Sequence, residues 1–167
     1  MADATTKRYI YPPDWQENVS GDGQLYGRAG HQGGGFKKYI LHLTNISDGT
    51  GESDATKIDL SVLMGSSGRP ARRTVIDWVD YDVYGMDITL YWERDPQAIV
   101  ICRIPGGSST QSGTIRGPLY DPGTGDGTDG TGNILLTTSN ATSGDSYDLR
   151  ICIRPKEGIK PNRNMGT

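Results

Sequence analysis

The sequence predicts an all-β fold: an antiparallel sandwich, jelly-roll-like or a related small barrel, with extended N-terminal and C-terminal arms. Three observations predict it. Apolar and polar residues alternate with period two in one segment after another, the pattern of strands with one buried and one wet face. No window of ten residues or more shows the spacing of an amphipathic helix. Glycine supplies 24 of the 167 residues, about twice ordinary usage. Together with Pro, Asp, Asn and Ser it falls between the alternating segments, where turns are needed.

Residues 1–36 read as an extended arm. "YIYPPDW" contains two prolines that remove ladder donors and favour a polyproline-like path, and "SGDGQLYGRAGHQGGGF" has glycine too often for helix or sheet. The arm nevertheless carries Tyr9, Tyr11, Trp15, Tyr26 and Phe36, more apolar bulk than a plain linker needs. Residues 37–155 read as the β-domain. "KKYILHLTNI" sets Tyr39, Leu41 and Leu43 against Ile40, His42, Thr44 and Ile46, and "TKIDLSVLM" sets Ile58, Leu60, Val62 and Met64 on one face. "RRTVIDWVDYDVYG" is aromatic and β-branched; it leads through Gly85 into "MDITLYWERD", where Met86, Ile88, Leu90 and Trp92 share a face. "AIVICRIP" follows the turn at Asp95-Pro96. "GNILLTTSN" and "SYDLRICIRP" close the domain, the last with Tyr147, Leu149, Ile151 and Ile153 on one side and Asp148, Arg150, Cys152 and Arg154 on the other. Seven strands result. "MGSSGRPARR" reads as a basic, flexible loop, and residues 105–133 as a long loop without a strand, a length that usually signals a contact region. Residues 156–167 form a basic tail.

Charge and composition narrow the function. The net charge of −3 makes the chain a poor general binder of nucleic acid, whose affinity depends on clustered Lys and Arg. No direct nucleic-acid contact is expected. The N-terminus lacks an apolar core of signal-peptide type, and no segment is apolar enough for a membrane helix, so neither secretion nor membrane insertion is expected. Cys102 and Cys152 fall within strands and are expected to be reduced. From Arg150 onward basic residues outnumber acidic ones, so that Lys156, Lys160 and Arg163 suit either a solvated tail or an arm docked on an acidic surface.

Catalytic constellations are weak. "DPGTGDGTDGTGN" offers Asp121, Asp126, Asp129 and Asn133, oxygen ligands of the kind calcium takes, but in the spacing of neither an EF-hand nor a nonapeptide repeat; a loop of Asx turns accounts for it. Asp77, Asp80, Asp82, Asp87 and Glu93 are close in sequence, as glycosidase carboxylates must be in space, yet solvent-face alternation explains most of them. His31 and His42 support neither a triad nor a zinc site. No catalytic, cofactor or metal residue is assigned, and the chain is expected not to be an enzyme. Trp78, Tyr81, Tyr84, Tyr91 and Trp92 suit a core, a protein interface or a carbohydrate platform.

From Val75 to Glu157 the chain contains "YGMDITLYWERDP", "GTIRGPLYDP" and "GNILLTTSNATSGDSYDLRICIRPKE". This half of the chain resembles tailed-bacteriophage virion proteins, in which a G-[DN]-I-L-L-T-T strand, then S-G-D-[ST]-Y and a final alternating strand, close a small β-domain. Gly132 to Thr138 match the first motif, and Gly144, Asp145, Ser146 and Tyr147 the second. The resemblance implies a virion accessory structural protein, with capsid decoration or cement as the expected role. Its partners would be the major capsid protein and neighbouring copies of itself, as a homotrimer. It would be made in the host cytoplasm and would reside on the capsid surface. A carbohydrate-binding or receptor-binding module of a phage tail or fibre is the alternative. Contact is expected through Tyr9, Tyr11, Trp15, Tyr26, Phe36, Arg69, Arg72, Arg73, Lys156, Lys160 and Arg163.

Overall fold

The computed structural model describes residues 4–10, as backbone, together with 38–63 and 71–157. These residues form nine strands: β1 Ala4–Ile10, β2 Tyr39–Asp48, β3 Ala55–Ile58, β4 Ala71–Tyr84, β5 Asp87–Trp92, β6 Ile99–Ile104, β7 Gln111–Tyr120, β8 Ile134–Ser139 and β9 Ser143–Glu157. Two antiparallel sheets result, in the orders β1-β2-β9-β4-β7 and β3-β8-β5-β6. With β1 set aside, β2 to β9 follow the eight-stranded jelly roll, two four-stranded sheets wound as a pair of Greek keys. The predicted all-β sandwich is therefore present, in its jelly-roll form.

The alternation in the sequence places each inward row. Leu41, Ile151 and Val79 lie side by side across β2, β9 and β4, as do Leu43, Leu149 and Tyr81. Opposite them stand Ile88, Leu90 and Trp92 of β5 with Ile134 and Leu136 of β8, all buried. A bulge between Ile76 and Trp78 shifts the register of β4 against both neighbours, so that Ile76 and Val79, three residues apart, both reach the core. Cross-sheet packing of these aliphatic side chains is the main source of stability.

Three expectations change. Residues 4–10 of the predicted arm pair with β2 from Ala4↔Ile46 to Ile10↔Ile40 and extend the sheet. The strand expected through Met64 stops at Ile58, because Asp59 caps a single 3-10 turn, Leu60–Val62, by accepting a bond from Ser61 N at 2.9 Å. The loop expected over 105–133 is interrupted by β7, which pairs with β4. Its inward positions are Gly113, Ile115, Gly117 and Leu119; two of the four are glycines, so the apolar alternation is broken. The glycines have a steric cause. A Cβ on Gly113 would lie 2.6 Å from the Tyr81 hydroxyl, and one on Gly117 would lie 2.2 Å from the Ile76 carbonyl oxygen.

Candidate interaction end of the sandwich

Strand pairing brings the roots of the arms together. β2 begins beside the end of β9, with Tyr39 opposite Ile153, and β1 ends there too, with Ile10 opposite Ile40. Segment 11–37 therefore leaves and re-enters the sheet at one end, and segment 158–167 departs from the neighbouring strand. Ala71 pairs with Glu157 and donates its N–H to Leu63 O at 3.0 Å, which roots segment 64–70 at the same end. The loop 121–133 completes it, since Asp121 N donates to Thr74 O at 3.2 Å. At the opposite end the strands are joined by short, tied turns, such as the one where Asp87 Oδ1 accepts from Gly106 N at 2.8 Å.

The loop 121–133 is built around Arg94. Inward residues of β5 recur at Ile88, Leu90 and Trp92, and the same phase carries past the strand end to Arg94, whose side chain is 2% exposed. All five guanidinium donors find acceptors. Nε and Nη2 bond the Asp121 carboxylate, Nη1 bonds Asp129 Oδ1 at 3.1 Å and Gly130 O at 3.4 Å, and Nη2 also reaches Arg72 O at 3.2 Å. The glycines follow from this wrapping: a Cβ on Gly123 would fall 2.1 Å from Arg94 Cζ. Asp126 does not face the guanidinium; it accepts from Thr128 N, Thr128 Oγ1 and Thr124 Oγ1. Those bonds, chiefly the one from the Thr128 hydroxyl, hold its carboxyl down to about 2. Asp129 is also lowered, first by the bond from Thr124 N, then by Arg94. Asn133 Oδ1 accepts from Leu60 N at 2.8 Å. The four oxygen-bearing residues that resembled a calcium loop thus turn toward a guanidinium, two hydroxyls and backbone amides. Among the described residues no group of three His, Cys, Asp or Glu side chains is placed to hold a metal ion.

The predicted contact residues divide as follows. Tyr9 lies in β1 opposite Leu41, one residue before the strand ends at Ile10. Arg72 is exposed, with Nη1 lying over Gly127; Arg73 packs along Gly125 and donates to Gly123 O at 3.4 Å. Lys156 is exposed and pairs in register with Arg73. Tyr11, Trp15, Tyr26, Phe36, Arg69, Lys160 and Arg163 lie outside the described residues, in segments rooted at this end. Nearby, Asp77 bonds Lys38 at 3.0 Å and Arg154 at 2.8 Å. Partial burial pushes the Asp77 carboxyl up, but these two cations outweigh it and leave it below its ordinary value. Sequence reasoning missed Arg94 and the apolar rim. Ile99 pairs with Trp92, Trp92 Nε1 bonds Thr74 Oγ1 at 3.1 Å, and Tyr120 pairs with Val75; Ile99, Val100 and Tyr120, exposed at 39%, 41% and 65%, therefore stand at the same end. The inward phase of β5 continuing onto Arg94 was the signal for the first.

Other candidates resolve into structure. On the outer face of the five-stranded sheet, Asp80, Asp82, Ser112, Thr114, Asp148 and Arg150 line a shallow depression of about 370 Å³. Each carboxylate there has a partner: Thr114 for Asp80 at 2.6 Å, Ser112 for Asp82, and His42 for Asp148 at 2.9 Å. Asp87 holds Gly106 N and Asn140, and Glu93 accepts from Thr131. The aromatic cluster is scattered: Trp92 is in the core, Tyr81 packs against it, Trp78 and Tyr84 face outward from one sheet and Tyr91 from the other. Comparison of the chain with protein-family models, curated proteins and solved structures finds no match in any of the three.

Proposed function

We propose that this chain is a non-enzymatic virion structural protein that decorates and cements a capsid shell, gripping the major capsid protein and neighbouring copies of itself from one end of the sandwich. The observation that carries the reading is the convergence of segments 11–37, 64–70 and 158–167 with the Arg94-centred loop at a single end. A rigid spacer with its attachment segments on one side suits a cement protein. Arms of this length add contact area, and many weak attachments gain by avidity. Lys38, Arg72 and Lys156, exposed at that end, suit an acidic seam, while Ile99, Val100 and Tyr120 provide apolar contact.

The motifs that resemble virion proteins have structural work in this fold. Gly132 takes φ +75° against Arg72 O, Asp145 Oδ2 accepts from Thr142 N at 2.7 Å, and the Tyr147 hydroxyl donates to Glu52 at 2.6 Å. Jelly rolls serve in viral shells and in lectins, so the fold by itself separates neither reading. The glycan-binding alternative calls for an exposed aromatic platform, and the dispersal of Trp78, Tyr84, Tyr91 and Trp92 gives it less support. Particles assembled with the full chain, or with a chain lacking residues 1–37, test the proposal. Loss of loading by a truncated protein that still folds is expected; full occupancy by that protein overturns it.

A further inference from the structure

We propose that β1 is an exchangeable strand: where copies of this chain stand side by side, β1 of one seats on the β2 edge of another. The proposal rests on the reading that the protein works as adjacent copies, not on the identity of the shell they occupy.

Among the described residues β1 pairs with β2 and with no other strand, and the jelly roll of β2 to β9 is complete without it. Its whole ladder is therefore with one sheet edge, and the β2 edge of any copy offers the same N–H and C=O groups in the same order. The connection is the second observation. Antiparallel neighbours need as few as two residues between them, whereas the 27 residues 11–37 join Ile10 to Lys38, although Ile10 already lies opposite Ile40. Extended, such a segment reaches roughly 90 Å at about 3.3 Å per residue. The radius of gyration of a domain this size is only about 13 Å. Pairing in trans thus needs no change to any hydrogen bond of the sheet, only a different route for the tether. The third observation is chemical: Tyr11-Pro12-Pro13 follows β1 directly in the sequence, and neither proline has an N–H with which to continue the ladder on β2.

The identical bond set in cis and in trans makes concentration the deciding variable. A tether presents its own strand at an effective concentration of up to about millimolar, so copies crowded to that level compete on equal terms. Copies that each donate β1 and accept another form a ring where the rotation between neighbours closes, and an open chain where it does not.

Thr6 and Thr44 face each other in register and supply the test. Differently tagged Thr6→Cys and Thr44→Cys chains are co-expressed, concentrated to about 1 mM, oxidised and separated without reductant. Exchange gives a product carrying both tags at twice the 18.1 kDa chain mass, absent from the wild-type chain treated alike. The double variant Thr6→Cys/Thr44→Cys should then form linked multimers. Closure of the double variant only within single chains, with no doubly tagged product, overturns the proposal. So does a double variant that forms no disulfide, since β1 would then sit on β2 in neither copy. The experiment contains no shell, so its failure leaves the virion reading in place, and failed particle loading leaves strand exchange in place.

Discussion

Arg94 and Asp121 form a buried two-pronged ion pair: Nε donates to Oδ1 at 2.9 Å and Nη2 donates to Oδ2, with the two side chains 2% and 0% exposed. This contact fastens the end of β5 to the loop after β7, and Asp129, Gly130 O and Arg72 O complete the guanidinium's partners. Arg94 is thus the central side-chain anchor of a loop that is also tied by Asp121 N to Thr74 O and by Asn133 Oδ1 to Leu60 N.

Arg94→Met should cost about 3–5 kcal/mol in guanidinium unfolding, because it leaves the Asp121 carboxylate buried without its partner. Arg94→Lys keeps the charge but presents one compact ammonium where a planar fork meets several acceptors, and should recover only part of the loss. In both variants residues 121–133 should be cleaved faster in limited proteolysis than in the wild type. Wild-type stability in Arg94→Met would contradict this account.

Asp126 offers a titration test. Its folded value, about 2, lies below the ordinary carboxylate value of about 3.9, with the Thr128 hydroxyl as the leading cause. A depressed folded pKa means that the favourable contribution is present above the ordinary value and is lost as pH falls from about 4 toward 2. Carboxyl NMR should show the Asp126 midpoint in that low range, and Thr128→Val should move it upward. Because Asp126 is fully exposed, the global unfolding curve should scarcely change. A wild-type midpoint near 4 would remove the hydrogen-bond argument.

Gly132 and Gly144 separate backbone strain from collision. Both have positive φ, +75° and +94°, so alanine is strained at either. A Cβ at Gly144 meets nothing within 4 Å, whereas one at Gly132 would lie 2.6 Å from Arg72 O. Gly144→Ala should cost about 1 kcal/mol and Gly132→Ala clearly more, from the added backbone displacement. Equal losses in thermal or chemical unfolding would show that the close approach at Gly132 is relieved at no expense.

Cys102 and Cys152 are both free thiols, the first half-buried and the second buried. Burial pushes the Cys102 thiol up to about 11 and raises that of Cys152 as well, so little thiolate forms at pH 8. A thiol reagent such as DTNB should react slowly with the native protein and with two equivalents in denaturant. Fast reaction of either thiol in the native state would place that cysteine elsewhere.

The all-strand class and most strand positions are written locally. Period two at Tyr39, Leu41 and Leu43, or at Tyr147, Leu149, Ile151 and Ile153, follows from the geometry of an extended chain beside a core. β7 escaped notice because Gly113 and Gly117 hold inward places where Tyr81 and the Ile76 carbonyl leave no room for a side chain. Such crowding is a property of neighbours more than thirty residues away. β1 escaped because an edge strand with one partner needs no strong alternation of its own.

The chain's residues alone determined that it would be built of antiparallel strands with glycine-rich connections, since side-chain alternation and turn chemistry act over a few residues. Only the tertiary structure decided which strands adjoin, and so brought the roots of the arms, Arg72, Lys156 and the Arg94 loop to one end. The physical reason is that strand neighbours are selected by burial of the inner faces of both sheets at once, and a buried guanidinium finds its carboxylates only where those packed sheets bring them together.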